Sequence, residues 1–206
     1  MEKKIVIPEI LKTSWKSLIA EIWLLAGLVI GYTIITLFLS LFVTDLKEGA
    51  NITTVVIIAL TGIFSFIFIL GYTKNLFQTL DREEPQFSAY GRQSLKTLTY
   101  LIAYFLFFGI VTIGIALLIV PGIYLALRLQ FFQAAIVDEN AGVIDSFKRS
   151  WEITKGQTLS LFLLMLVMTG LFIAGLIALG AGIFMVMPFT GLIYCCTFRK
   201  LTFSTD

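Results

Sequence analysis

Four stretches of this chain contain no Asp, Glu, Lys or Arg at all: residues 22–44, 49–73, 97–127 and 156–198. A helix needs ~20 apolar residues to cross the ~30 Å hydrocarbon layer of a bilayer. The first two stretches each supply one span, at about 22–44 and 53–73. The other two are too long for one helix. Proline costs a helix interior ~3 kcal/mol, and glycine ~1 kcal/mol relative to alanine. Breaks are therefore expected at Pro121-Gly122 and at Gly180-Ala181-Gly182, giving spans at 98–120, 122–137, 159–179 and 183–198. Pro188 falls inside the last, where neighbouring helices can satisfy the carbonyl it frees. The expected fold is all-α, a polytopic membrane protein with six transmembrane helices arranged as three hairpins in a single domain, 1–206. The first run is too long for the apolar part of a signal peptide, so it reads as a retained span.

Composition agrees and narrows the chemistry. Hydrophobic residues make up 58% and charged residues 14% of the chain, against roughly half and a quarter in soluble domains. The chain has no histidine, the usual general base and metal ligand. Its two cysteines, Cys195 and Cys196, are adjacent, a poor geometry for pairing with each other. They read as small apolar residues near a helix end, with lipid attachment or thiol chemistry as the alternative. No Walker loop, zinc motif or G-x-S-x-G occurs, and no span carries paired carboxylates. No catalytic residue, cofactor or metal is expected. A net charge of +2 is too small to suggest a nucleic-acid partner.

Lysine and arginine set the expected orientation. Lys3, Lys4, Lys12 and Lys16 precede the first span. Lys74, Arg82, Arg92 and Lys96 follow the second, Lys148, Arg149 and Lys155 the fourth, and Arg199 and Lys200 the sixth. Of the segments assigned to the other side, only the first carries a basic residue, Lys47. Both termini are therefore expected in the cytoplasm, in a plasma membrane.

The basic segments resemble one another. Ser14, Ser94 and Ser150 align, each followed by an apolar residue and preceded by a basic one, and the apolar Ile7, Phe87 and Val143 lie seven residues upstream. This suggests three copies of a unit in which an interfacial amphipathic helix (about 7–17, 86–96 and 142–155) leads into a helical hairpin. In the third copy Val143, Ile144, Phe147 and Trp151 share one face, and Asp145, Lys148, Arg149, Glu152 and Lys155 the other. Such a helix lies in the headgroup layer with its basic residues near anionic lipid. Trp15, Lys16, Trp151, Lys148, Arg149 and Lys155 are the candidate interfacial or lipid contacts. The plainer alternative is that these helices only cover the bundle's ends.

Arg128 stands out inside the fourth span, about 9 Å beyond the Pro-Gly turn at 1.5 Å per residue. A charge at the centre of a span costs ~2.5–3.5 kcal/mol on insertion scales. Arg128, with Tyr124, Gln130 and Gln133, forms a candidate buried polar site. Either the site binds an anionic group or gates a path, or the guanidinium snorkels outward or bonds carbonyls freed at the break. Glu21 reads as interfacial, paired with Lys16 or Lys74. Asp138 and Glu139, with Asn140, suit the start of the following helix. Gly27 and Gly31, and separately Gly170, Ala174 and Ala178, have the four-residue spacing that lets membrane helices approach closely.

The run 119–142, followed by SFKRSWEITKG, resembles the signature of uncharacterised bacterial YciC-like integral membrane proteins. Those are similar to the membrane domain of some glycerophosphoryl diester phosphodiesterases. Pro121, Gly122, Arg128, Asp138, Glu139, Gly142, Ser150, Trp151, Lys155 and Gly156 carry the resemblance. It implies a bacterial-type inner-membrane protein. The phosphodiesterases' catalytic barrel is a separate domain, absent from these 206 residues, so the resemblance carries architecture and not activity. The expected function is a non-enzymatic accessory or scaffold of the cell envelope. Its expected partners are membrane lipids, another membrane protein or a second copy of itself. The alternatives are a small transporter or channel for a lipid-like or small solute using the site around Arg128, and an intramembrane lipid enzyme.

Overall fold

A computed structural model describes residues 5–43, 52–178 and 182–205. The expected first outer turn with Lys47, and Gly180 and Ala181 of the last expected break, lie outside the described residues. The described regular structure is helical, without strands. Its helices are α1 (Ile7–Ser40), α2 (Ile52–Leu80), α3 (Ser88–Ser94), α4 (Thr97–Leu117), α5 (Ile119–Leu129), α6 (Phe132–Asp138), α7 (Val143–Ile153), α8 (Thr158–Ile177) and α9 (Ile183–Thr205). Five helical stretches are long and apolar enough to cross a membrane: α1, α2, α4, α5 with α6, and α8. Helix α9 is not among them. Its apolar run ends at Phe198, and Arg199 and Lys200 follow, which lowers the helix's mean hydropathy.

The boundaries depart from expectation in informative ways. The first expected interfacial segment and first span form one continuous helix that bends at Glu21 (φ −126°, ψ 24°). Helix α2 continues well past residue 73, because Thr73, Asn75, Leu76, Phe77, Gln78 and Thr79 are all buried by neighbouring helices. It closes with Glu83 N–H on the Gln78 carbonyl (2.8 Å) and Arg82 N–H on that of Thr79 (3.3 Å). Arg82 sits at φ 60°, where such closures usually place glycine.

The break expected at Pro121-Gly122 falls instead at Leu118, whose backbone is extended (φ −159°, ψ 138°). Pro121 lies in the first turn of α5, where a missing N–H forfeits no helical bond. Gly122 serves a different purpose. A Cβ there would lie 2.6 Å from the backbone nitrogen of Ile115, and Gly114 faces it across the same junction. The glycine therefore permits the close approach of α4 and α5. Beyond it, the expected span 122–137 is not one helix. It is interrupted between α5 and α6, at Gln130 and Phe131.

Packing is concentrated at one end of the molecule. The fully buried residues include Leu70 and Phe77 of α2, Ala103 of α4, Phe131, Ala134, Ala135 and Ile136 around α6, and Leu192, Ile193 and Phe198 of α9. The opposite ends of α1, α2, α4 and α8 expose their apolar side chains, among them Ile34, Leu37, Ile58, Leu117 and Ile177. The packed end also carries the charges. There Glu9 near the start of α1 pairs with Lys200 near the end of α9 at 2.9 Å.

Candidate functional site

The gap between α5 and α6 leaves backbone groups without helical partners, and hydrocarbon offers them none. Distant side chains supply them. The Ser150 hydroxyl of α7 donates to the Arg128 carbonyl (2.8 Å) and accepts from the Phe131 N–H (3.1 Å). The Tyr194 hydroxyl of α9 donates to the Gln130 carbonyl (2.9 Å) and accepts from the Ala134 N–H (3.3 Å). Thr154 adds a hydroxyl 3.2 Å from the Arg128 carbonyl and 2.6 Å from that of Ser150. Two hydroxyls thus each bridge a freed carbonyl and a freed N–H.

Arg128 lies beside this junction and is 3% exposed. Its guanidinium carbon is 4.2 Å from the Trp151 ring centroid and 6.0 Å from that of Tyr124. The two rings meet edge to face. Among the described residues no carboxylate lies within ion-pair distance of Arg128, and its Nε has no hydrogen-bond partner. Aromatic faces are its neighbours, an arrangement worth ~0.5–2 kcal/mol depending on desolvation.

The four residues expected to form one polar site divide. Tyr124 and Arg128 stay together under Trp151. Gln130 donates to the Leu127 carbonyl on its own helix (3.1 Å). Gln133 donates to Thr73 of α2 (2.7 Å). The residues expected at the interface also separate. Trp15 packs edge-on against Phe189 of α9 (5.4 Å) yet, like Trp151, Lys16, Lys148 and Lys155, it is exposed. Arg149 Nε lies 3.1 Å from both carboxylate oxygens of Glu139. The buried stripe of α7 is Ser146, Ser150 and Ile153, and Ile144 is exposed, so the helix is rotated from the apolar face expected for it. The small serines share this contact with Val143 and Phe147, which are half-buried against the core. Ser14 is likewise fully buried, whereas its counterpart Ser94 is not.

A second polar cluster links three elements. Asp138 at the end of α6 receives Arg199 of α9 (3.1 Å) and Lys74 of α2 (3.7 Å), and Arg199 also bonds Asp81 (2.7 Å). Lys96 donates to the carbonyls of Ile136 and Val137 (3.1 and 3.2 Å) at the C-terminal end of α6, where a cation is favoured. Burial holds the Lys96 amine below the ordinary lysine value; Lys74 adds to that and Asp138 opposes it. Asp138 and Glu139 are thus ion-pair residues. They do not cap α7, whose N-cap is Gly142 with no side-chain cap. Glu21 lies at the kink and not in the pair expected with Lys74, which faces Asp138.

Sequence inspection missed Tyr194, Thr154 and the pairing of Lys74 with Asp138. One signal was present: Lys74, Asn75, Gln78 and Thr79 sit at four-residue intervals, a polar stripe continuing directly from an apolar span. Residues 87–204 match the model of a family described as "Domain of unknown function (DUF7847)". The matched segment takes in α3 through α9, with both the interrupted helix and the Asp138–Arg199 pair. No curated protein matches the chain, and no solved structure does.

Proposed function

We propose, for a chain that belongs to the DUF7847 family, the role of a non-enzymatic, membrane-embedded accessory of the cell envelope that holds lipid. The observation that carries this reading is a groove of about 350 Å³ between the α5–α6 interruption, α8 and α9. Leu164, Met168 and Phe172 form its apolar wall, and Gln130, Thr197 and Tyr194 supply polar groups near the packed end. An apolar trough with polar groups at one end suits an acyl chain below a polar linkage. The transport alternative asks Arg128 to line a path, yet that side chain is covered by Trp151.

Several observations support the finer architecture. The Glu9–Lys200 pair brings the start of α1 and the end of α9 to one side. An even number of crossings follows, which favours α9 as a sixth span. Gly114 against Gly122, and Gly175 against Gly182, close α4–α5 and α8–α9 as hairpins. A short helix, α3 or α7, precedes each of them. The basic residues of the packed end support a cytoplasmic side for it, in a bacterial-type plasma membrane. The YciC-like reading gains support because its signature residues Arg128, Ser150 and Trp151 meet in space.

Purification into native nanodiscs with lipid mass spectrometry tests the function. Lipid enriched over bulk membrane is expected, and Met168→Trp, at a half-buried position on the groove wall, should reduce it. A bulk-like profile unchanged by that substitution would sink the reading. Orientation has its own test: Glu84→Cys should label only after the membrane is opened, and Leu118→Cys from outside intact cells. The reverse pattern would invert the topology. The native Cys195 and Cys196 are buried and should contribute little background.

A further inference from the structure

A second cavity, of about 300 Å³, lies between the last turns of α2 and helix α3. Gln78, Ala89 and Gln93 form its floor and are all buried. Gln78 and Gln93 are only 7% and 6% exposed, and the amide oxygen of each lacks a hydrogen-bond partner. Buried amides left unsatisfied are rare and unfavourable, and two of them lining one cavity point to a polar occupant. Charged groups surround the floor: Lys74, Arg92 and Glu83. Arg92 pairs with no carboxylate among the described residues. It is held by Gln86 Oε1 (3.2 Å) and Ser88 Oγ (3.0 Å), which leave donors of its guanidinium free. Glu83 borders the cavity from the turn after α2, where its N–H bonds the Gln78 carbonyl (2.8 Å).

From this geometry we infer that the cavity binds a phosphate ester whose far end carries an amine or hydroxyl. Lys74 and Arg92 take the phosphate, as guanidinium and ammonium groups do elsewhere. Gln78, Gln93 and Glu83 meet the donors of the remainder. The cavity lies just beyond the apolar run of α2, level with the ends of the membrane-crossing segments. A phospholipid headgroup and a soluble phosphate ester share the required chemistry. The inference deepens the lipid-holding reading and rests on it only for the choice of the lipid as the source.

The test uses the full chain and two variants, Arg92→Gln and Gln93→Leu, whose folding is first checked by thermal melting. Nanodiscs of phosphatidylcholine with and without phosphatidylethanolamine, read by native mass spectrometry, form the lipid arm. Free phosphoethanolamine, titrated by calorimetry in detergent, forms the soluble arm. Binding in either arm, weakened at least tenfold by both variants, supports the site and identifies the source. Binding in neither arm, or binding that both folded variants retain, overturns it. If lipid is enriched but indifferent to both variants, this site fails while the lipid-holding function stands. If no lipid is enriched yet phosphoethanolamine binds, the function fails and the site stands.

Discussion

Ser150 shows how one small side chain can hold a discontinuity inside a membrane protein. Its hydroxyl serves the Arg128 carbonyl and the Phe131 N–H together. In Ser150→Ala, Thr154 can still reach the carbonyl, but the N–H is left buried and unpaired, which costs about 1–3 kcal/mol. Chemical unfolding in detergent should show that loss, while Ser94→Ala, at the aligned but less buried position, should change stability by under about 0.5 kcal/mol. Arg128 offers a second measurement. If its stability comes from the Trp151 face, Arg128→Met and Trp151→Leu should be coupled by about 0.5–2 kcal/mol in a double-mutant cycle. Additive effects would show that the stack is incidental. Of this site, Arg128 with Tyr124, and Trp151 and Ser150 as repeat residues, were legible in the sequence. A charge in an apolar run announces itself. The hydroxyls that complete the junction do not, because Tyr194 is separated from Gln130 by 64 positions and serine is common in membrane helices.

At the scale of elements, glycine positions discriminate between tight and open contacts. Gly122→Ala drives a methyl into the backbone of α4 at Ile115, and such overpacking costs about 1–3 kcal/mol. Gly27→Ala meets nothing within 4 Å and should be neutral or slightly stabilising, as alanine is the better helix former by ~1 kcal/mol. Thermal melting of both variants checks the contrast. The G-x-x-x-G spacing of Gly27 and Gly31 therefore marks no close contact among the described residues. Both residues border an apolar groove between α1 and α2. Spacing tells which residues share a helix face, but not whether another helix of the same chain lies against it.

For the whole molecule, the cluster around Asp138 joins α2, α6 and α9 at the packed end. Asp138→Asn removes the charge that faces Lys74 and Arg199 and leaves two partly buried cations with less compensation. The expected destabilisation is about 1.5–3 kcal/mol, the range for hydrogen bonds to charged groups. Glu139→Gln, which weakens the Arg149 pair at the rim, should cost under about 1 kcal/mol. Equal losses in unfolding experiments would remove the special position given to Asp138. The one-ended packing adds an expectation: hydrogen exchange should be slowest around Phe77, Phe131 and Phe198, where burial is complete.

The sequence by itself determined that this chain is helical and crosses a membrane, since charge-free runs of that length have no other stable backbone arrangement in lipid. It also determined which segments carry the charge. Only the tertiary structure decided where the helices stop. Leu118, and not Pro121, turns α4 into α5, because proline is harmless in a first turn and the glycines set how closely the helices approach. The interruption at Gln130 and Phe131 has no breaker residue at all. It exists because Ser150 and Tyr194, brought from remote segments, satisfy the groups that a continuous helix would have satisfied locally.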